Sequence, residues 1–289
     1  MIQKPKCATS KNQTKSNCQF DRTSMDKLRI AFCSDLHIDF WVGTKWNKPK
    51  LDWFVSKLTN GVEADVAVIA GDLGHINQQI EYVVKEIAKH FELVIVTYGN
   101  HELYVFGGEF ENSWNRLDDL SERLNAIENV EFCKGYSTDV IGYRGFNLFA
   151  TPMWYDFSWL KNRYGLEKEQ CEWLWKWHMN DASHIKPKID VEQTHKWFRD
   201  RLEIVLNNWQ IDILITHIPP FTVGTDEVSS FYRFDADGLN FDGVKLWICG
   251  HDHLRNVRQV GEMVVAKNAI GYPREYDDFG MRVIEIEKD

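Results

Sequence analysis

The chain has 289 residues, with 34 basic and 43 acidic side chains and a formal net charge of −9. Its apolar content of 44% and charged content of 27% are those of an ordinary globular protein, which excludes disorder over the whole length. The acidic balance argues against a protein that coats long nucleic acid through bulk charge. The length allows one large folded domain or two small ones.

The two ends of the chain differ in character. Residues 1–24 contain five basic residues and one acidic residue and lack apolar periodicity, so we predict a disordered leader there. Met25 is then a candidate functional start, and a single domain is expected over residues 25–289. No apolar run approaches the roughly 20 residues needed to cross a bilayer, and no secretory signal is recognisable. Six cysteines without a CxxC pair favour a cytoplasmic location.

Short apolar segments alternate with amphipathic ones along most of the chain. In chain order, the pattern predicts strands at 28–33, 64–70, 93–97, 130–132, 145–150, 211–216 and 245–249, and helices at about 50–60, 76–90, 114–127 and 191–208. The tail segments 257–267 and 281–287 alternate and predict antiparallel strands. This arrangement indicates βαβ units around a parallel sheet, whose ligand sites lie beyond the carboxyl ends of the strands.

Tryptophan is concentrated in one part of the chain. Five of the 12 tryptophans lie between residues 154 and 177, so we predict a helical aromatic insert over about residues 153–185. Trp173 and Trp177 are four residues apart and are predicted to share a buried face, with Trp175 pointing elsewhere. Packing in the core is the first interpretation. The alternative is an aromatic wall that stacks a nucleobase or an aryl leaving group.

Five predicted strand ends carry side chains that bind metals. Taken singly, each cluster is a weak signal, because Gly-Asp marks ordinary turns and a lone histidine is often a loop residue. Taken together, they place seven carboxylate, imidazole and amide donors at one edge of a sheet. These donors are Asp35, His37, Asp72, Asn100, His217, His251 and His253. Two divalent ions would relieve the crowding, with a carboxylate such as Asp72 shared between them.

The ordered set of Asp-x-His, Gly-Asp, Gly-Asn-His-Glu, His and Gly-His-x-His resembles the calcineurin-like metallophosphoesterases, from about residue 28 to the end. The resemblance implies an α/β fold, a four-layer α/β/β/α sandwich with two mixed β-sheets flanked by helices. It implies a first metal site of Asp35, His37, Asp72 and His253, and a second of Asp72, Asn100, His217 and His251. The two divalent ions are expected to be Mn, Fe, Zn or Ni, because this donor set accepts each of them.

The reaction implied by the resemblance is phosphoester hydrolysis by a hydroxide that bridges the two ions. His101 resembles the catalytic histidine of the family, which donates a proton to the leaving oxygen; alternatively it only orients Asn100. Many relatives carry an aspartate three residues after the shared one, where this chain has His75. Either another carboxylate, such as Asp39 or Glu102, orients His101, or His75 itself faces the substrate.

The expected substrate is a small phosphomonoester or phosphodiester, with nucleotides among the candidates. Loop residues near the strand ends are candidate substrate contacts, namely His75, Tyr104, Tyr155, Tyr232 and Arg233. The motifs lack the adjacent arginine of protein Ser/Thr phosphatases, and the folded part has no basic track for a nuclease. Those two activities and a catalytically silent scaffold remain alternatives, and no membrane partner is expected. Segments 151–157, 179–181 and 271–273 also resemble small cytosolic bacterial and phage phosphoesterases.

Overall fold

The computed structural model of the chain describes residues 27–222 and 224–288. The predicted leader at residues 1–24 and the candidate start at Met25 lie outside the described residues. Within the described ranges, no helix is both long and apolar enough to cross a membrane.

Strands and helices alternate along the described chain. The strands are β1 Lys27–Cys33, β2 Val66–Ala70, β3 Leu93–Thr97, β4 Val130–Cys133, β5 Ile141–Tyr143, β6 Phe146–Thr151, β7 Ile213–Thr216, β8 Leu246–Cys249, β9 Arg255–Val260, β10 Met263–Asn268 and β11 Arg282–Glu287. The α-helices are α1 Ile38–Val42, α2 Lys48–Thr59, α3 Asn77–Ala88, α4 Ser113–Asn125, α5 Ser158–Tyr164, α6 Lys168–His178, α7 Asp181–His184 and α8 Val191–Asn208. Short 3-10 helices cover His101–Leu103 and Val228–Tyr232.

The strands form two mixed sheets. The first has the order β11-β1-β2-β3-β4, in which β11 is antiparallel to β1 and the others are parallel. The second has the order β5-β6-β7-β8-β10-β9, in which β5 and β9 are antiparallel to their neighbours. Each sheet therefore has a parallel centre, and the chemistry expected at the carboxyl ends of parallel strands can come from both sheets.

The apolar core has two parts because successive side chains of a strand point to opposite faces. Ile213 and Ile215 of β7 pack with apolar residues of both sheets, in a cluster to which no helix contributes. Leu214, between them, belongs to a larger cluster that includes Phe198 and Leu202 of α8. The inner cluster is the layer between the sheets, and the helices cover the outer faces. This confirms the predicted four-layer sandwich with two mixed sheets.

The predicted elements are present with shifts of a few residues, and two short elements were not predicted. Helix α1 is five residues long and β5 is three residues long, so neither is long enough to show a periodic pattern. The alternating segment 257–267 corresponds to β9 and β10, which pair antiparallel as predicted, although β9 begins two residues earlier, at Arg255, and is largely exposed.

The aromatic insert contains α5, α6 and α7, but the predicted orientation of its tryptophans is wrong. Trp173 and Trp177 are exposed by 57% and 72%, whereas Trp175 is buried. The buried face of α6 consists of Cys171, Leu174 and Trp175, spaced as neighbours on one side of a helix. Two tryptophans four residues apart do share a face here, and that face points to solvent.

Candidate metal centre

The seven predicted donors all lie just beyond the carboxyl ends of parallel strands. Asp35 and His37 follow β1, Asp72 follows β2, Asn100 follows β3, His217 follows β7, and His251 and His253 follow β8. The first four come from one sheet and the last three from the other. The structure brings them together in two adjoining clusters.

Asp35, His37 and His253 form the first cluster. Nε2 of His37 lies 3.0 Å from Nε2 of His253, and that His253 atom lies 3.8 Å from Oδ1 of Asp35. One ligand atom from each of the three residues lies within 4.8 Å of the other two. This spacing leaves room for one ion between two imidazole nitrogens and a carboxylate oxygen.

Asp72, His217 and His251 form the second cluster, with their ligand atoms also within 4.8 Å of one another. Nε2 of His217 lies 3.4 Å from Oδ2 of Asp72 and 3.3 Å from Oδ1 of Asn100. Asp72 belongs at the same time to a group with His37 of the first cluster. Its carboxylate therefore lies between the two clusters, which is the position that a shared ligand requires.

Backbone strain is concentrated at these donors. Five of the seven have a left-handed backbone: Asp35 (φ 53°), His37 (φ 43°), Asp72 (φ 55°), His251 (φ 70°) and His253 (φ 53°). Only three other non-glycine residues in the described ranges have a positive φ. Such a conformation costs about 1–3 kcal/mol per residue and persists only where the surroundings impose it. The fold thus retains an unfavourable backbone where it presents these side chains.

Glycines keep the space beside the donors free. A Cβ atom on Gly99 would lie 2.2 Å from Oδ1 of Asp72 and 2.5 Å from Nε2 of His217. A Cβ on Gly250 would lie 2.7 Å from Oδ2 of Asp35. These distances are far below any van der Waals contact, so the strand ends can approach one another only because these residues have no side chain.

The hydrogen bonds of the histidines leave ring nitrogens available as ligands. Nδ1 of His217 donates to the Ala70 carbonyl (2.8 Å), Nε2 of His251 to the Phe231 carbonyl (2.9 Å) and Nδ1 of His253 to Glu275 (2.8 Å). A carbonyl can only accept, so in the neutral ring the opposite nitrogen keeps its lone pair. Nδ1 of His37 is buried with no hydrogen-bond partner among the described residues. Together with the oxygen donors, this set fits divalent transition-metal ions.

The electrostatics of the site also favour bound cations. Burial favours the neutral form of Asp72, yet the charges of His217 and His101 hold the pKa of this carboxyl well below its usual value. Burial disfavours a charged His217, but the adjacent Asp72 carboxylate raises the pKa of this imidazole to about 10. The buried carboxylate therefore draws positive charge to its neighbours. A divalent ion supplies that charge while leaving the imidazole nitrogens free to bind.

His101 lies beside Asp72 and is held from behind by His75. Nε2 of His101 is 3.9 Å from Oδ2 of Asp72, and its Nδ1 is 2.9 Å from Nε2 of His75. Nδ1 of His75 is in turn 2.9 Å from Oδ2 of Asp39. Burial lowers the pKa of His101 to about 4. Of the two carboxylates considered from the sequence, Asp39 is therefore linked to His101, and the link runs through the His75 ring.

Glu102, the other candidate partner of His101, has a different role. Its carboxylate accepts hydrogen bonds from the backbone amides of Asp72 (3.0 Å), Gly74 (3.1 Å) and Gly99 (2.7 Å). Burial raises the pKa of Glu102 to about 7. The side chain therefore ties the loop after β2 to the loop after β3 and positions backbone on both sides of the shared donor.

Arg116 of α4 joins the same loops from beneath. Its buried guanidinium donates to the carbonyls of His101 (2.6 Å), Tyr104 (2.8 Å) and Gly74 (2.7 Å). We expect Arg116→Met to lower the free energy of unfolding of the metal-free protein by about 3–5 kcal/mol, because three buried acceptors lose their donor. Urea unfolding measures this difference.

Arg123 on the same helix provides the matched control. Its guanidinium is partly exposed and pairs with Asp119 and Glu81. Arg123→Met is expected to cost about 1 kcal/mol or less. Equal losses for the two variants would contradict the role assigned to Arg116.

Comparison with known proteins identifies the family. The family model of calcineurin-like phosphoesterases matches residues 28–255, which include the seven donors and His101. The chain belongs to the calcineurin-like phosphoesterase family. It is 21% identical over 281 residues to the uncharacterized protein L509 of Acanthamoeba polyphaga mimivirus, covering 86% of this chain and 93% of the viral protein.

A solved structure shares the fold of this family member. The phosphopantetheinyl hydrolase PptH from Mycobacterium tuberculosis matches with a TM-score of 0.64 and 20% sequence identity, over 88% of this chain and 95% of that protein. At this identity the likeness shows the common fold. The family assignment rests on the sequence match, and the chemistry has to be argued from the site.

A cleft of about 360 Å³ opens above the two clusters. Four of the seven donors line it together with His101, namely Asp72, Asn100, His251 and His253, and the other lining residues include Tyr104, His178, Asn180, Tyr232, Tyr272 and Glu275. Tyr272 stacks on His37 with ring centroids 4.4 Å apart, and Tyr232 lies 5.1 Å from His251. Aromatic side chains therefore stand over both clusters. His178 and Asn180 come from the insert, which forms one wall of the cleft.

The five substrate contacts predicted from the sequence lie in different surroundings, and Tyr232 is one of the cleft residues. Tyr104 lines the cleft, and His75 lies behind His101. Tyr155 is fully buried, and its hydroxyl donates to Asp181 instead of reaching the cleft. Arg233 lies over the ring of Trp159, 4.4 Å from its centre.

Sequence reasoning missed Tyr272, Asn180 and Glu275 as residues of the cleft. The first two belong to segments whose resemblance to small phosphoesterases was noticed but interpreted as architecture. Glu275 stands four residues after Gly271, and its bond to His253 depends on a turn that the sequence does not reveal.

Proposed function

We propose that this protein hydrolyses a small phosphomonoester or phosphodiester with the aid of two divalent transition-metal ions. The supporting observation is the clustering of seven nitrogen and oxygen donors in two groups that meet at Asp72, at the base of the cleft. Mn, Fe, Zn and Ni all suit this donor set. Bound there, the ions would supply Lewis acidity, which lowers the pKa of water and offsets charge on the phosphate oxygens.

The protein's own side chains would supply proton transfer and keep the proton donor in place. Nε2 of His101 faces Asp72, and the neutral ring can present a hydrogen on Nε2 to the leaving-group oxygen when its Nδ1 accepts from Nε2 of His75. His75 restrains the ring at Nδ1, and Asp39 restrains His75 at both its ring and its backbone amide. A ring held in this way keeps one orientation throughout the reaction, which preserves the geometry of proton transfer.

The cleft favours a small ester over the alternative substrates. Among the described residues, no arginine or lysine lines it, so no side chain is placed to grip phosphate in the bidentate manner of a guanidinium. Its tyrosines offer flat surfaces to a base or an aryl group. The cleft size and the net charge of −9 weigh against long nucleic acid as the partner. Nucleotides are therefore candidate substrates.

The decisive experiment combines metal analysis with a substrate panel. The protein is stripped with a chelator, reloaded separately with Mn, Fe, Zn or Ni, and assayed on mono- and bis-p-nitrophenyl phosphate, nucleotides and a phosphopantetheinyl ester. The last compound is included because of the name of the structural relative. We expect about two ions per chain and turnover that disappears on stripping and returns on reloading.

Other outcomes would support the alternative functions. No metal uptake and no turnover of any ester would favour the catalytically silent scaffold. Faster cleavage of single-stranded DNA or of a phosphoprotein than of every small ester would favour a nuclease or a protein phosphatase.

A further inference from the structure

A buried carboxylate in the insert, Asp181, binds the side chain of a predicted metal ligand. Asp181 is the first residue of α7 and is completely buried. It accepts hydrogen bonds from Nδ2 of Asn100 (2.8 Å), from the hydroxyl of Tyr104 (2.5 Å) and from the hydroxyl of Tyr155. A buried carboxylate is costly unless it is satisfied in this way, and the reaction proposed above makes no direct use of it.

The chemistry of the partners decides the direction of these bonds. Nε1 of Trp175, which can only donate, donates to the hydroxyl oxygen of Tyr155 (2.7 Å). Tyr155 therefore directs its own hydrogen to Asp181, which accepts. At the other end of the network, Nδ2 of Asn100 donates both to Asp181 and to the hydroxyl oxygen of Tyr104 (3.0 Å).

This network determines which end of the Asn100 carboxamide faces the metal donors. With both Nδ2 hydrogens engaged, Oδ1 is directed to the other side, 3.3 Å from Nε2 of His217. The two ends of a carboxamide have almost the same shape, so packing alone does not distinguish them. Only the oxygen can bind a cation. Because Asp181 accepts a hydrogen bond from Nδ2, it favours the orientation of Asn100 in which Oδ1 faces the metal donors.

We propose that Asp181 is a positioning residue that holds Oδ1 of Asn100 toward the second cluster, so that the aromatic insert sets the affinity for the second ion. This inference rests on the proposed function, since it presumes that the second cluster binds an ion. Asp181, Tyr155 and Trp175 all belong to the insert, whereas Asn100 lies in the loop after β3 of the first sheet. The insert would thus act on the metal centre as well as forming a wall of the cleft.

The test is a stepwise titration of the metal-free protein with Mn²⁺, for the wild type and for Asp181→Asn. The substitution keeps the shape but adds hydrogens, so the network can accept a rotated Asn100. We expect the affinity of the second cluster for Mn²⁺ to fall about 10- to 100-fold, the range typical of residues that orient a ligand, while the affinity of the first cluster is unchanged. Calorimetry gives the affinities, and electron paramagnetic resonance reports whether two neighbouring Mn²⁺ ions are magnetically coupled.

Asp156→Asn is the matched control. Asp156 lies in the same insert and contacts Ser158 and His195, not Asn100. We expect this variant to bind both ions like the wild type. If it loses the second ion as readily as Asp181→Asn does, the effect comes from loosening the insert, and the inference is overturned.

Tyr104→Phe keeps the inference testable if Asp181→Asn fails to fold. It removes only the hydroxyl that bonds both Asn100 and Asp181, and we expect a smaller weakening that is again confined to the second ion. Wild-type affinity for that ion in the folded variant would overturn the inference. A wild-type protein that binds fewer than two ions would instead refute the proposed function, so the two failures are distinguishable.

Discussion

Replacing Asp72 with alanine is expected to remove both metal ions and to abolish phosphoester hydrolysis. Asp72 lies between the two clusters, grouped with His217 and His251 on one side and with His37 on the other, and its carboxylate lies 3.4 Å from His217 and 3.9 Å from His101. Without it, the second cluster keeps no carboxylate and the first keeps only Asp35, so both bind a divalent cation with less anionic charge. Elemental analysis after dialysis against Mn²⁺, together with turnover of p-nitrophenyl phosphate, measures both effects.

Asp118→Ala serves as the control for this substitution. Asp118 is an exposed aspartate on α4 that pairs with Lys134, away from the clusters. This variant should hold two ions and turn over normally. An Asp72→Ala protein that retains two ions per chain would contradict the shared position of this carboxylate.

Replacing His101 with alanine is expected to leave both ions bound and to slow hydrolysis of an alkyl phosphate roughly 100- to 10,000-fold, the usual contribution of a positioned acid. A 2,4-dinitrophenyl ester should be affected much less, because its leaving oxygen departs without a proton. The ratio of the two losses, measured at saturating substrate, separates proton donation from a general loss of the site. Loss of the second ion would instead support the alternative that His101 only orients Asn100.

His75→Ala tests the same proton donation with a smaller expected loss of rate. It leaves the His101 ring in place but removes the partner of Nδ1, and with it the link to Asp39. We expect a smaller loss with the same dependence on the leaving group. His90→Ala, at an exposed histidine after α3, is the control and should change neither substrate's rate. Equal losses on both esters would count against proton donation.

The fold and the gathering of the donors were predictable because they depend on local rules. Apolar runs such as 93–97 identify buried strands, and parallel strands end at one edge of a sheet. Polar residues directly after such strands, for example Asp72 after β2 and Asn100 after β3, must then lie near one another. The structure brings all seven donors together at the adjoining ends of these strands.

The contacts behind the donors were not predictable because they depend on the docking of distant segments. The bond from Asn100 to Asp181 spans 81 residues, and nothing around Asp181 marks it as buried. Asp39 and His75 were candidates from the sequence, but their arrangement as a chain to His101 depends on α1, which is too short to produce a pattern. The prediction for the tryptophans of α6 was wrong for a related reason. Helical spacing shows which residues share a face, but it does not show which face packs against the rest of the protein.

The division of donors between the two sheets has a mechanical consequence. Each cluster combines side chains of both sheets, Asp35 with His253 in one and Asp72 with His217 in the other. An ion bound in either cluster would therefore cross-link the sheets at one edge and close loops of more than 100 residues. Chelation would remove two such cross-links at once, and the strained backbone at the strand ends would be free to relax. The metal supply would therefore determine how strongly the two sheets are held together at this edge, as well as whether the protein is active.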